Sequence, residues 1–182
     1  MHNPLSFLDF SARRRLTALR PRLYRLAYAW CHDGHLADDL AQDALAKALV
    51  RGGQLREEEA MESWLFSILN NCWRDHLRAR REFADIDTLD EVILSTEPGP
   101  DRHYASRQTT ARVRDAIAAL PMAQRQVITL VDIEECAYAQ VAKILEVPVG
   151  TVMSRLSRAR QALKQRLLAE EAKCPPLLRR VK

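Results

Sequence analysis

Apolar residues recur along most of this chain at the three- and four-residue spacing of α-helices, and this periodicity limits the fold more than any other feature. Leu16, Leu19, Leu23, Leu26 and Trp30 form the first such stripe. The spacing is helical rather than alternating, and only five glycines occur in 182 residues. The pattern predicts an all-α protein.

Turn residues divide the first half of the chain into separate helices. Pro21 lies inside the first stripe and predicts a kink or a break there. Residues 32–35 have the composition of a turn, and Gly52-Gly53 would end the following helix. The first helical stretch is predicted to end near residue 31. Two further helices are predicted to cover residues 36–51 and 60–81. Because they would share one core, they predict a first domain at 5–82, a three- to four-helix bundle.

A change of composition separates this domain from a second one. Residues 83–107 lose the helical period, contain Pro98-Gly99-Pro100, and carry six acidic but only two basic side chains. This composition is typical of a flexible linker. Residues 108–170 regain helical periodicity and predict a second domain of four helices, followed by a tail at 171–182.

The strongest local signal is a pair of helices predicted at 137–146 and 149–168. A short helix, a tight turn and a longer basic helix form the helix-turn-helix, whose second helix enters the major groove of DNA. Val152, Leu156, Ala159 and Leu163 would face the core. The residues predicted to contact DNA are Thr151, Met153, Ser154, Arg155, Ser157 and Arg158. A solvated amphipathic helix is the alternative, but residues 108–182 carry 13 basic and 7 acidic side chains, which favours a polyanion.

Two further surfaces stand out in the first half. Asp38, Asp39, Gln42 and Asp43 form an acidic face on the helix at 36–51, which suits a basic partner. The alternative is that the first two aspartates only stabilise the N-terminal turn of their helix.

The helix at 60–81 carries amide and basic groups on one side. Such groups beside aromatic rings are typical of single-stranded DNA binding, through phosphate neutralisation and base stacking. Phe66 and Trp73 are candidates for stacking, and a place in the core is the equal alternative. The residues predicted to contact DNA here are Asn70, Asn71, Arg74, Arg78 and Arg81.

Three stretches resemble the extracytoplasmic function (ECF) sigma factors, a group of the sigma-70 family. Residues 147–160 (VPVGTVMSRLSRAR), with Leu120-Pro121 and Arg125 before them, resemble that family's promoter-binding C-terminal domain. Residues 38–43 (DDLAQD) and 63–81 (SWLF, NN and DHLRARR in order) resemble its polymerase-docking and promoter-melting helices. Met153 and Gln140 depart from the pattern, which more often has a basic and an acidic residue there.

The resemblance implies a sigma factor that directs core RNA polymerase to promoters and opens the strands. It implies that the acidic face docks on the β′ coiled coil and that the β flap is a further part of the polymerase contact. It also implies that the second domain recognises the −35 element and that the helix at 60–81 melts the −10 element. It also implies an anti-sigma factor as a further partner. The rival interpretation is a helix-turn-helix regulator that binds duplex DNA without docking on the polymerase.

Other features exclude several classes of protein. We find no nucleophile motif and no glycine-rich phosphate loop, so we expect neither an enzyme nor a bound cofactor. Cys31, His32 and His35 straddle a helix end without an obvious fourth ligand, so we expect no metal site. The four cysteines are widely spaced and predict reduced thiols. Lacking a signal peptide and a membrane-spanning run, the protein is predicted to be cytoplasmic without stable membrane insertion.

Overall fold

The computed structural model describes residues 10–52, 60–84 and 104–173, with side chains at 11–52, 60–80 and 111–169. Helices account for nearly all of these residues. Within these ranges no strand occurs, so the predicted all-α class is confirmed. The helices are α1 (Phe10–Ala18), α2 (Arg20–Cys31), α3 (Gly34–Val50), α4 (Met61–Ala84), α5 (Tyr104–Ala118), α6 (Met122–Ile128), α7 (Tyr138–Leu145) and α8 (Val149–Lys173). A π-helical segment, Thr129–Ile133, directly follows α6.

The first stripe is broken rather than kinked at its proline. Helix α1 ends at Ala18, and Leu19 precedes the first residue of α2. Pro21 occupies the first turn of α2, where a backbone N–H would have no acceptor within the helix, so proline loses no hydrogen bond there. Leu16, Leu23, Leu26 and Trp30 are nevertheless all buried, because both helices turn the same stripe toward the core.

The turn before α3 is shorter than predicted. His32 adopts a left-handed conformation with φ of 54°, which ends α2. The side chain of Asp33 then accepts hydrogen bonds from the backbone N–H groups of His35 and Leu36, at 2.9 and 3.0 Å, and so caps α3. Helix α3 therefore begins at Gly34, two residues earlier than predicted.

The second half of the chain contains the predicted helix-turn-helix. Glu146, with φ of 55°, ends α7, and Pro148 precedes the first residue of α8. The backbone N–H of Val147 donates to the carbonyl of Ala142 at 3.0 Å, and this bond closes the turn. The buried residues that hold α7 against α8 are Val141, Ile144, Leu145, Val152, Leu156 and Ala159.

The two helical domains pack directly against each other. Helix α7 lies against α4, while α5 and α6 lie against α2, and buried side chains of both domains form one continuous cluster. The sequence predicted two domains joined by a flexible linker and gave no indication of this contact. Most of the linker, residues 85–103, lies outside the described residues, as do residues 174–182 of the tail.

The described residues also bear on the cysteines, on metal binding and on membrane insertion. Cys31 and Cys72 are buried free thiols and Cys136 is a half-buried one, while Cys174 lies outside the described ranges. In the described part of the chain, no cluster of three or more His, Cys, Asp or Glu side chains has a geometry that would hold a metal ion. None of the helices described is long and apolar enough to cross a bilayer.

Candidate nucleic-acid interface

The N-terminal half of α8 presents one accessible polar face. Ser154, Ser157 and Arg158 are exposed, and Thr151 and Arg155 are half-buried at its edges. The opposite stripe of the helix is buried, so this helix can turn only one face to a ligand. All of these residues were predicted from the sequence to contact DNA, and the structure brings them together on one surface.

An apolar side chain stands in the middle of that face. Met153 is 54% exposed and lines a shallow groove of about 290 Å³ together with Tyr138 and Ser157. A methionine at this place offers dispersion contact but no hydrogen bond, which suits the methyl group of a thymine better than a phosphate.

The basic groups further along α8 serve its attachment to the domain. Arg160 makes two hydrogen bonds to the carboxylate of Asp132, at 2.5 and 3.0 Å, and this pair raises the pKa of Arg160. Arg166 donates to the carbonyl of Ala119 at 3.1 Å. These two arginines therefore hold α8 to neighbouring elements.

Helix α4 carries the second predicted DNA-binding set. Arg74 and Arg78 are exposed and Asn71 is half-buried, while the side chain of Arg81 lies outside the described residues. Together with Lys47 and Arg51, the exposed arginines line an open cleft of about 390 Å³. Four basic side chains outnumber Asp75 and Glu146 in its lining, so the cleft carries a net positive charge and can attract a polyanion.

Asn70 does not have the exposed position that the sequence predicted. Its side chain is only 2% exposed, donates to the carbonyl of Ile144 at 3.0 Å, and accepts from the side chain of Gln126 at 3.1 Å. Both partners belong to the second domain, whose packing on α4 covers this asparagine. The spacing of apolar residues in α4 cannot indicate this burial, because the residues that cover Asn70 come from a distant part of the sequence.

The aromatic residues of α4 belong to the core. Phe66 is fully buried and Trp73 is 4% exposed, so neither can stack on a base in this conformation. The guanidinium of Arg22 lies 5.6 Å from the centre of the Phe66 ring, on its face. Of the two alternatives that the sequence left open, the structure shows the core position.

The acidic face of α3 is present as predicted. Asp39, Gln42 and Asp43 are exposed. Asp38 is half-buried, pairs with Arg20 at 2.6 Å, and accepts a hydrogen bond from Gln42 at 2.7 Å. Because α3 begins at Gly34, none of these residues lies in its first turn, and stabilising the helix N-terminus is not the reason for the cluster.

A buried arginine joins the two domains, and the sequence reasoning assigned it no role. Arg125 is 8% exposed and donates to the backbone carbonyls of Trp30, Leu120 and Ala118, the first at 2.7 Å and the second at 3.0 Å. Burial lowers the pKa of Arg125. The signal available in the sequence was an arginine between Gln124 and Gln126, two residues before the apolar pair Val127-Ile128.

Two known families match separate parts of the chain. The family described as Sigma-70 region 2 matches residues 16–83, and the family described as Sigma-70, region 4 matches residues 110–163. The first range spans α2 to α4, and the second includes α6, α7 and the N-terminal part of α8.

Individual relatives cover most of the chain. The ECF RNA polymerase sigma factor EcfG of Rhodopseudomonas palustris is 32% identical over 91% of this chain and 90% of its own length. The RNA polymerase sigma-H factor of Pseudomonas aeruginosa is 32% identical over 80% of each chain. Among solved structures, the sigma factor RpoE from Bartonella quintana, crystallised with the anti-sigma factor NepR, superposes with a TM-score of 0.74. It is 28% identical and covers 87% of this chain and 98% of its own.

Proposed function

This chain belongs to the ECF group of RNA polymerase sigma factors in the sigma-70 family, and we propose that its two helical domains divide promoter recognition between them. The second domain, residues 108–170, binds the −35 element through α8. The first domain, residues 5–82, docks on core polymerase and opens the −10 element. The domain bounds follow the loss of helical period in the acidic segment 83–107.

The observation that carries this proposal is the single accessible face of α8. Short hydroxyl side chains at Ser154 and Ser157 let the helix approach base edges closely, and Arg155 and Arg158 beside them can bind guanine or phosphate. The remaining contacts of the predicted set, Thr151 and Met153, lie on the same surface. This is the placement that a helix-turn-helix needs for entry into the major groove.

The first domain supplies two further contacts under this proposal. The acidic face at Asp39 and Asp43, with Asp38 and Gln42 beside it, docks on the basic β′ coiled coil of the polymerase. The basic cleft beside α4 receives the melted strand, with Asn71, Arg74 and Arg78 binding phosphates. We also assign Asn70 and Arg81 to binding of the melted strand, although Asn70 is covered in the present conformation.

We propose two classes of macromolecular partner besides promoter DNA. One is core polymerase, through the β′ coiled coil and the β flap. The other is an anti-sigma factor, because the similar RpoE of Bartonella quintana was crystallised with one. The chemistry of transcription belongs to the polymerase, so we assign this chain no catalytic residue, and we place it in the cytoplasm with its polymerase.

Run-off transcription tests the proposal directly. The purified chain is mixed with core polymerase and with genomic fragments that include the promoter of its own operon. We expect defined transcripts that require both the chain and the core enzyme. If no template yields a transcript while the chain alone retains sequence-specific duplex binding, the protein is instead a helix-turn-helix regulator.

A further inference from the structure

Exposed apolar side chains gather at the N-terminal end of α8. Seven large apolar or aromatic side chains are exposed in the described part of the chain, and Val149 and Met153, 42% and 54% exposed, are two of them. These two lie four residues apart and are therefore neighbours on one side of α8. A third, Tyr138 of α7, lines the same groove as Met153. A single exposed apolar side chain is ordinary, whereas a cluster of them marks a binding surface.

The groove beside Met153 does not favour an anion. One charged residue, Arg160, is among the described residues that line it. The guanidinium of Arg160 is already bound by the carboxylate of Asp132, through hydrogen bonds of 2.5 and 3.0 Å. A phosphate could bind Arg160 only in competition with this carboxylate, whereas an apolar group could enter the groove and leave the ion pair intact.

This groove is continuous with the proposed DNA-binding face. Ser157, one turn after Met153, belongs to both surfaces. Long side chains in an α-helix lean toward its N-terminal end, which for Met153 is the turn that contains Gly150. A Cβ atom at Gly150 would meet no other atom within 4 Å, so the space beside this turn is open. Base edges meet the N-terminal residues of a recognition helix, and these positions suit such a contact.

The chemistry of the major groove selects one base for a methionine. Thymine presents a C5-methyl group there, while the other groups on the base edges are hydrogen-bond donors and acceptors. The thioether of Met153 has no donor and is only a weak acceptor, so it would leave such groups unpaired. Its flexible apolar chain can instead pack closely against a methyl group.

We propose that Met153, with Val149 and Tyr138 beside it, selects a thymine in the −35 element by packing against its C5-methyl group. This inference rests on the proposed function, because it names a base that α8 would recognise. A basic residue, which the family pattern more often has at this position, would instead bind guanine or phosphate. Met153 therefore gives this chain a base preference that differs from that of relatives with the basic residue.

Deoxyuridine tests this contact, because it differs from thymidine only in lacking the C5-methyl group. The templates are fragments of a promoter from which the chain directs run-off transcription, each with one thymine of the −35 element, on either strand, replaced by deoxyuridine. Fluorescence anisotropy reports their affinity for the complex of the chain with core polymerase. We expect one position at which the replacement weakens binding about fourfold, the factor that corresponds to burial of one methyl group.

A second set of templates restores the methyl group on another base. At the position that deoxyuridine identifies, the thymine–adenine pair is replaced by cytosine–guanine, with and without a methyl group at C5 of the cytosine. The 5-methylcytosine template should bind more tightly than the cytosine template, because its methyl group occupies the same place in the major groove.

Protein variants connect the methyl group to Met153. Met153→Ala should bind the thymine and deoxyuridine templates equally, while Met153→Leu, which keeps an apolar side chain of similar volume, should retain most of the discrimination. The salt dependence of binding by Met153→Ala should be unchanged, because no phosphate contact is lost. Leu168→Ala is the matched control, since Leu168 is also 54% exposed but lies near the other end of α8, and it should discriminate as the wild type does.

Several results would overturn the assignment. Equal affinity of the wild type for all thymine and deoxyuridine templates would do so, as would a −35 element with no thymine on either strand. Discrimination that persists in Met153→Ala would assign the methyl contact to another side chain, such as Thr151. Weaker binding of Met153→Ala to core polymerase without DNA, with discrimination intact, would assign the cluster to a protein contact.

Run-off transcription separates this inference from the proposed function. Normal transcription by the wild type, together with equal affinities for thymine and deoxyuridine, rejects only the role of Met153. No transcription from any template rejects the proposed function and this inference with it.

Discussion

Replacing Arg125 with methionine should remove a large part of the stability of the free protein. The guanidinium is 8% exposed and binds three backbone carbonyls, two at the end of the α5 segment and one on Trp30. Methionine has a similar length and can fill the space, so the substitution chiefly removes hydrogen bonds. The three carbonyls would then lose this donor.

The expected magnitude follows from these contacts. A hydrogen bond from a charged donor contributes about 1.5–3 kcal/mol, so three of them contribute at most about 9 kcal/mol. Removing the arginine also removes the cost of burying its charge, which includes the buried Nε that has no partner. Each carbonyl that loses its donor costs about 1–3 kcal/mol, and the relief of the charge burial offsets part of that sum, so the net loss in the free energy of unfolding should be about 3–5 kcal/mol. Since domains are stabilised by about 5–15 kcal/mol, such a change is readily measured.

Urea unfolding followed by circular dichroism provides the assay. Arg114→Met is the matched control, because Arg114 is exposed on α5 and its replacement should change the free energy of unfolding by less than about 0.5 kcal/mol. Arg125→Lys should fall between the two, since an ammonium cannot span three carbonyls as the planar guanidinium does. A loss below about 1 kcal/mol for Arg125→Met would refute the interpretation of this residue as a bridge between the domains.

Three other predictions concern separate surfaces. Reversing the charge of Asp39 and Asp43 together should weaken core-polymerase binding in a pull-down without changing the circular dichroism spectrum; undiminished binding would contradict the docking assignment. Arg158→Ala should weaken binding of the polymerase complex to the −35 element by about 1–3 kcal/mol, and unaltered transcription would reject that contact. Burial, and then the charge of Arg125, lower the pKa of His32, so the unfolded chain binds more protons and stability should fall as the pH drops below about 6.5. His32→Asn, which tolerates the left-handed backbone, should remove that part of the pH dependence of urea unfolding, and an identical dependence would contradict the assignment.

The helices and their breaks could be predicted because their causes are local. Pro21 breaks the first stripe, and the apolar positions of α8 are buried as their spacing indicated. Shifts of one or two residues at helix ends have equally local causes. Asp33, which caps α3 in place of the predicted longer turn, is one of them. The acidic face of α3 and the polar face of α8 were predictable for the same reason, since each lies on a single helix.

The packing of one domain on the other could not be predicted from periodicity. Asn70 lies on a polar side of α4, and nothing within its own helix indicates that Ile144 would cover it. Arg125 and Thr129 also appear as ordinary polar positions until Trp30, nearly a hundred residues away in sequence, supplies a partner. Such contacts depend on matching donors and acceptors in three dimensions, and the spacing of apolar residues carries no information about that match.

The hydrogen bond between Trp30 and Thr129 has a consequence for building chimeras from related factors. Exchanging residues 104–173 for the equivalent portion of another family member would transplant promoter preference, but would also replace the hydroxyl that the indole of Trp30 uses. If the introduced segment has valine in place of Thr129, the indole N–H of Trp30 is left buried and unpaired. Such a hybrid should unfold at a lower urea concentration than the original chain, because a buried donor between its two domains has lost its acceptor.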